Sequence, residues 1–122
     1  MRKLPILLLL TPGVLHSSPS AAFEGQYRAG SKEYRQELTI KKQAADRYHV
    51  ELVVGTAGCS GYFEGVGRVE GATLVVKTPP ADPDAGKCAV SISRKGAKVD
   101  VTEEDCNLHG ASCEFAATYR RR

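Results

Sequence analysis

Four cysteines, Cys59, Cys88, Cys106 and Cys113, and two histidines, His49 and His109, are the residues after position 22 best equipped to form covalent bonds, hold a metal or move a proton. The segment Cys106-Asn107-Leu108-His109-Gly110-Ala111-Ser112-Cys113 concentrates them. Its C-x2-H-x3-C spacing is one with which thiolates and an imidazole can hold zinc. The same stretch offers His109, Ser112 and Asp105 for a hydrolytic grouping, but no nucleophile-elbow glycine pattern surrounds Ser112. Against both readings stands an even number of cysteines in a short chain with an export-type start, the mark of a disulfide framework. We therefore expect Cys59, Cys88, Cys106 and Cys113 all to be disulfide-bonded, with no metal, no cofactor and no catalytic residue. Glu103, Glu104 and Asp105 lack the alternating spacing and glycine of a calcium loop and read as a solvated acidic turn. His49 falls on the outer face of a strand.

The compartment follows from the first residues. Arg2 and Lys3 precede an apolar run from Leu4 to Leu10, and Ser20-Ala21-Ala22 supplies small residues for cleavage, so residues 1–22 read as a signal peptide and 23–122 as one exported domain. The run is far shorter than the ~20 residues that span a bilayer. Arg2 and Lys3 also supply two of the formal net charges in the total of +3, leaving no general case for a nucleic-acid partner. Arg120, Arg121 and Arg122 read as a solvated basic end, with an anion or partner contact as the alternative.

Alternation of period two dominates what remains, which is the pattern of half-buried strands. Tyr48, Val50, Leu52 and Val54 share one face and Arg47, His49 and Glu51 the other. Leu38 and Ile40 do the same within 34–42, and residues 43–46 make the connector of a hairpin. Further strands are expected over 61–70, 72–77, 87–93, 98–102 and 113–119, with turns at Glu70-Gly71 and Lys95-Gly96. The glycines at 61, 65 and 67 suggest coiling, a bulge or a second backbone passing close by. No helical period of useful length appears. The expected fold is all-β, a small antiparallel barrel or sandwich of seven or eight strands, because closure removes exposed edges. Four cysteines allow three pairings; Cys106 with Cys113 and Cys59 with Cys88 is the expected one, since the first pair closes a short glycine-containing loop. Each bridge is worth roughly 2 to 4 kcal/mol, so reduction is expected to loosen or unfold the domain.

Cys106 to Arg121, read as C-N-L-H-G-A-S-C-E-F-A-A-T-Y-R-R, resembles the closing segment of small periplasmic proteins from Gram-negative bacteria, some of them similar to the LprI-type lysozyme-inhibitor group. The H-G-A-S-C loop leading to an aromatic strand that ends in T-Y-R carries the likeness, together with Tyr48, Val50, Cys59 and Gly61 upstream. The resemblance implies a periplasmic or secreted protein with a protein partner such as a lysozyme, and it assigns no inhibitory residue. A rigid scaffold with irregular loops suits surface recognition, because rigidity lowers the ordering cost of binding. Loops 78–86 and 103–112 are the expected contact sites, through Asp82, Asp84, Glu103, Glu104, Asp105 and His109, with Tyr62 as a nearby aromatic anchor. Tyr27 and Tyr34, flanking Arg28, Lys32 and Arg35, are a further aromatic-basic candidate. The alternatives are a barrel that carries a small apolar ligand inside, or a structural envelope protein of unknown partner.

Overall fold

The computed structural model describes residues 23–78 and 86–122; the signal-like segment and Asp82 and Asp84 lie outside them. Eight strands run in chain order: β1 (Gly25–Gly30), β2 (Arg35–Ala44), β3 (Arg47–Thr56), β4 (Cys59–Glu70), β5 (Thr73–Lys77), β6 (Ala89–Lys95), β7 (Lys98–Glu104) and β8 (Ala117–Arg121). Each pairs antiparallel with the next, and β8 returns to β1, so the sheet closes into an up-and-down barrel. The barrel thus settles the choice between barrel and sandwich, and no helix occurs among the described residues.

Alternation explains the inside. Leu38 and Ile40, Tyr48 through Val54 by twos, Phe63, Leu74, Val76, Val90, Ile92, Val99 and Val101 are all buried, while their neighbours in sequence reach the surface. Eight strands leave an interior just wide enough for side chains. Here it holds Tyr27, Tyr48, Tyr119, Phe63, Phe115 and Phe23, each almost fully buried. Gly67 stands at an inward position of β4, where a Cβ would press on Val76 and the Val75 carbonyl across the ladder.

Two strands depart from the sequence expectation. β1 was not anticipated, since Gly-Gln-Tyr-Arg-Ala-Gly has a single large apolar residue, Tyr27; that ring is buried rather than displayed for recognition. β8 begins at Ala117 rather than Cys113, because the amides just before it bond to a side chain instead of a neighbouring strand. The lead-ins to these two strands share a device. In F-E-G-Q-Y, the Tyr27 hydroxyl donates to the Phe23 carbonyl at 2.8 Å; in F-A-A-T-Y, the Tyr119 hydroxyl donates to the Phe115 carbonyl at 2.7 Å. Because β1 and β8 are antiparallel, the two phenylalanines plug opposite ends of the barrel. Phe23 packs edge-on against Tyr48, and Phe115 packs at a tilt against Phe63.

The disulfides are Cys59–Cys113 and Cys88–Cys106, which corrects the expected pairing. The cause is the ladder. β6 and β7 pair as far as Ala89 opposite Glu104, so Cys88 and Cys106 emerge together just beyond it. The chain then runs back along the start of β4, with Gly61 bridged to His109, and brings Cys113 to Cys59. Residues 107–110 are therefore laid along β4 instead of forming a small ring closed by Cys106 and Cys113. The bridges span 54 and 18 residues, for which loop-closure entropy gives about 4 and about 3 kcal/mol respectively.

Tyr27 and Tyr119 have partners for their hydroxyls, whereas the buried Tyr48 hydroxyl has none among the described residues. A buried hydroxyl without a partner costs stability, and a satisfied one contributes about 1 kcal/mol. Tyr48→Phe is accordingly expected to leave the unfolding free energy unchanged or raise it, while Tyr119→Phe lowers it by about 1 kcal/mol; urea unfolding of the two variants checks this, and equal losses would contradict it.

Candidate functional site

The end of the barrel where β3 hands over to β4 is covered by residues 105–116, and the groups that hold this cover converge on one carboxylate. Glu103 follows Val99 and Val101 at inward positions of β7, so its side chain turns toward the interior and is only 17% exposed. A carboxylate there must be satisfied by donors. Its Oε2 accepts the amides of Phe115 at 2.7 Å and Ala116 at 3.2 Å, and its Oε1 meets His109 Nε2 at 2.6 Å. The other ring nitrogen, Nδ1, lies 2.7 Å from the Gly110 carbonyl oxygen. A carbonyl only accepts, so Nδ1 donates; with Nε2 donating to the carboxylate, the ring that satisfies both contacts is the imidazolium. Burial pulls the His109 pKa down, but the Glu103 hydrogen bond, the Gly110 carbonyl and the negative charges of Glu103 and Glu114 outweigh it and hold the pKa above 6.5.

The backbone of the cover is fixed as firmly. Tyr62 N donates to the Leu108 carbonyl at 3.3 Å and Gly110 N to the Ser60 carbonyl at 3.1 Å, so the cover lies along β4. This is the close backbone approach that the glycines of β4 suggest: a Cβ on Gly61 would overlap His109 and the Leu108 carbonyl. Asn107 joins the cover to Lys87 through both its amide and its side-chain oxygen, at 2.9 and 2.7 Å. On the far side, Gln36 Nε2 donates to the Glu114 carbonyl at 3.1 Å, and the Tyr34 hydroxyl accepts from the Glu114 amide at 2.8 Å. His109 also stacks edge-on against Phe115, with ring centres 5.0 Å apart.

This geometry decides what each candidate residue faces. Glu103 is an internal tie rather than part of a solvated turn, and His109, 11% exposed, is engaged at both nitrogens. Neither nitrogen is directed at Ser112, and the acid beside the ring is Glu103 rather than Asp105. Asp105 is exposed, with a φ of +47° that lets the chain leave β7 sharply. Glu103, Cys106 and His109 place ligand-type atoms within 4.8 Å of one another, but Cys106 sulfur is bonded to Cys88 and is no thiolate. Glu104, Asp105 and Glu114 project their carboxylates into solvent around the cover, and Ala111 and Ser112 form its exposed crest. A groove of about 360 Å³ runs between Tyr34, Glu103 and residues 111–114. Tyr62, 48% exposed, stands on the outer face of β4, its hydroxyl donating to Glu51 at 2.7 Å. That hydrogen bond, with some burial and the Glu64 carboxylate, pushes its pKa up. His49 pairs with Glu64 at 2.7 Å on the same outer surface. Gln36 and Glu114 leave no signal in the sequence pattern, whereas Phe115 falls with Cys113 and Tyr119 on one face of the expected strand 113–119 and is buried.

No family model, no curated protein and no solved structure matches this chain significantly. Two disulfides fit an oxidising, non-cytoplasmic compartment, and among the described residues no helix is long and apolar enough to cross a membrane.

A group whose pKa is raised by folding stabilises the fold fully below its unfolded value and stops doing so as pH climbs through the folded value. The stability advantage of the native chain over His109→Gln is thus expected to be complete at pH 6 and to shrink as pH rises through the raised His109 pKa. Glu103→Gln is expected to lower that pKa and to cost roughly 2 kcal/mol, through loss of charge-assisted bonds to two amides and a ring. Imidazole NMR titration and denaturant unfolding across pH check both; an advantage that grows with pH would contradict the assignment.

Proposed function

We propose that this chain is an exported binding protein that presents the cover 105–116 as a rigid, acidic recognition edge to a basic protein partner, with inhibition of a lysozyme-like hydrolase as its concrete form. One observation carries the reading: the exposed crest Ala111-Ser112 and the carboxylates of Glu104, Asp105 and Glu114 stand on backbone held by a disulfide, two hydrogen bonds to β4 and the Glu103 carboxylate. An edge fixed before binding spends little of its interaction energy on ordering itself. Solvent-facing carboxylates of one sign steer a cationic partner and set its orientation. The signal-like segment and the two disulfides support periplasmic or secreted placement, where such a hydrolase is met. The bulky rings that occupy the interior favour a function on the surface over carriage of an apolar ligand.

The test is calorimetric titration of the oxidised domain with lysozymes of differing net charge, with residual lysis read in parallel. Binding with loss of lysis is expected, weakened in Glu104→Gln/Asp105→Asn/Glu114→Gln and weakened by salt. No binding at high micromolar concentration, or binding indifferent to the triple variant, overturns the reading.

A further inference from the structure

The seam that closes the barrel is its shortest pairing. β1 and β8 share only Tyr27 opposite Arg121 and Arg28 opposite Arg120. Beyond that point Ala29 and Gly30 remain paired to β2, and Thr118 and Ala117 to β7, so the two strands part. The parting leaves a notch of about 610 Å³, floored by the small residues Ala29, Gly30 and Thr118 and walled by Arg28, Arg120 and Arg122, with no acidic residue lining it. It shares no residue with the groove beside the cover.

The charges around it are arranged against folding stability. Arg28 stands directly opposite Arg120, and Arg120 opposite Lys98, so three cations occupy adjacent positions across three strands. Like charges directly opposite one another in a sheet destabilise it. The acids that the ladder places nearby have other hydrogen-bond partners, although Glu37 also attracts Arg122 and Arg28 at longer range. Glu37, opposite Arg28, takes Arg35 in a fork at 3.0 and 3.1 Å, and Asp100, opposite Thr118, takes Lys95 at 2.6 Å and the Thr118 hydroxyl at 2.7 Å. Arg121 is bound inward, to the Glu24 carbonyl at 2.8 Å and the Tyr27 hydroxyl at 3.0 Å. Arg28, Arg120 and Arg122 make no ion pair among the described residues.

We propose that this notch is a binding site for a phosphoryl-bearing anion. Guanidinium groups offer planar forks of donors that match phosphate oxygens two at a time. Three such groups around a concave floor of small residues suit a ligand with several closely spaced negative charges, which would also relieve the repulsion between Arg28 and Arg120. The site is independent of the acidic edge and stands or falls without it.

The probes are inorganic triphosphate, for a soluble anion, and phosphatidylglycerol vesicles beside pure phosphatidylcholine vesicles, for a lipid headgroup. The variant is Arg28→Gln/Arg120→Gln, with Arg28→Gln alone as the milder form; both side chains are exposed. Lys32→Gln/Lys41→Gln, equally exposed and outside the notch, matches the double variant in net charge. Expected is binding to triphosphate, or sedimentation with phosphatidylglycerol vesicles alone, that weakens about tenfold or more in the notch variants and little in the lysine control. The melting temperature of the notch variants without ligand should equal or exceed that of the native chain. Triphosphate binding identifies a soluble ligand and vesicle binding without it a headgroup. Binding to neither, or equal loss in the lysine control, overturns the proposal.

Discussion

A single carboxylate at the inner end of a strand organises the covered end of this barrel. Glu103 leaves β7 on the side of Val99 and Val101, where an unpartnered charge would be costly, and it recovers that cost through two amides and an imidazolium. Those donors lie 12, 13 and 6 residues further along the chain. Satisfying one side chain thus fixes the path of everything from Asp105 to Ala116, and delays β8 until Ala117. The same demand raises the pKa of His109, which links the geometry of the cover to pH.

The disulfides act with this tie rather than in place of it. Cys88–Cys106 fastens the cover where it leaves β7, and Cys59–Cys113 fastens it where it has crossed to β4, so His109 works within a span clamped at both ends while Glu103 reaches it from β7. Phe115 closes the barrel beneath that span, touching Phe63 on one side and His109 on the other. At the opposite end Phe23 does the same closing work with no disulfide among the described residues there, held by Tyr27 and Tyr48, with Arg121 lying over the Tyr27 ring. One end is therefore a plain hydrophobic plug and the other a plug overlaid by a polar, cross-linked edge. That asymmetry is what makes the second end the better candidate for recognition.

The strands with regular alternation were legible because burial on one face leaves its period in the sequence, as in Tyr48 to Val54 and Cys88 to Ile92. β1 was not, since Tyr27 alone cannot establish a period. The disulfide partners were within reach of register: β6 and β7 turn at Gly96-Ala97, one residue later than expected, with Lys95 opposite Lys98, and counting back from there sets Cys88 opposite Asp105, one residue from Cys106. Proximity in sequence favoured Cys113 instead, and the ladder overrode it. For the cover the telling signal was Glu103 at inward parity, two residues after Val101. Three adjacent acids read together as a turn hid that one of them belonged to the strand. The donors that complete the tie are backbone amides, which leave no mark in residue types.

Amide hydrogen exchange at Phe115 and Ala116 tests the central claim most directly, that Glu103 makes the cover part of the rigid barrel. The account predicts protection approaching that of the β3–β4 ladder in the native chain, and its loss at these two amides in Glu103→Gln while the ladder stays protected. Rapid exchange of both amides in the native chain, at the rate of an open loop, would contradict it.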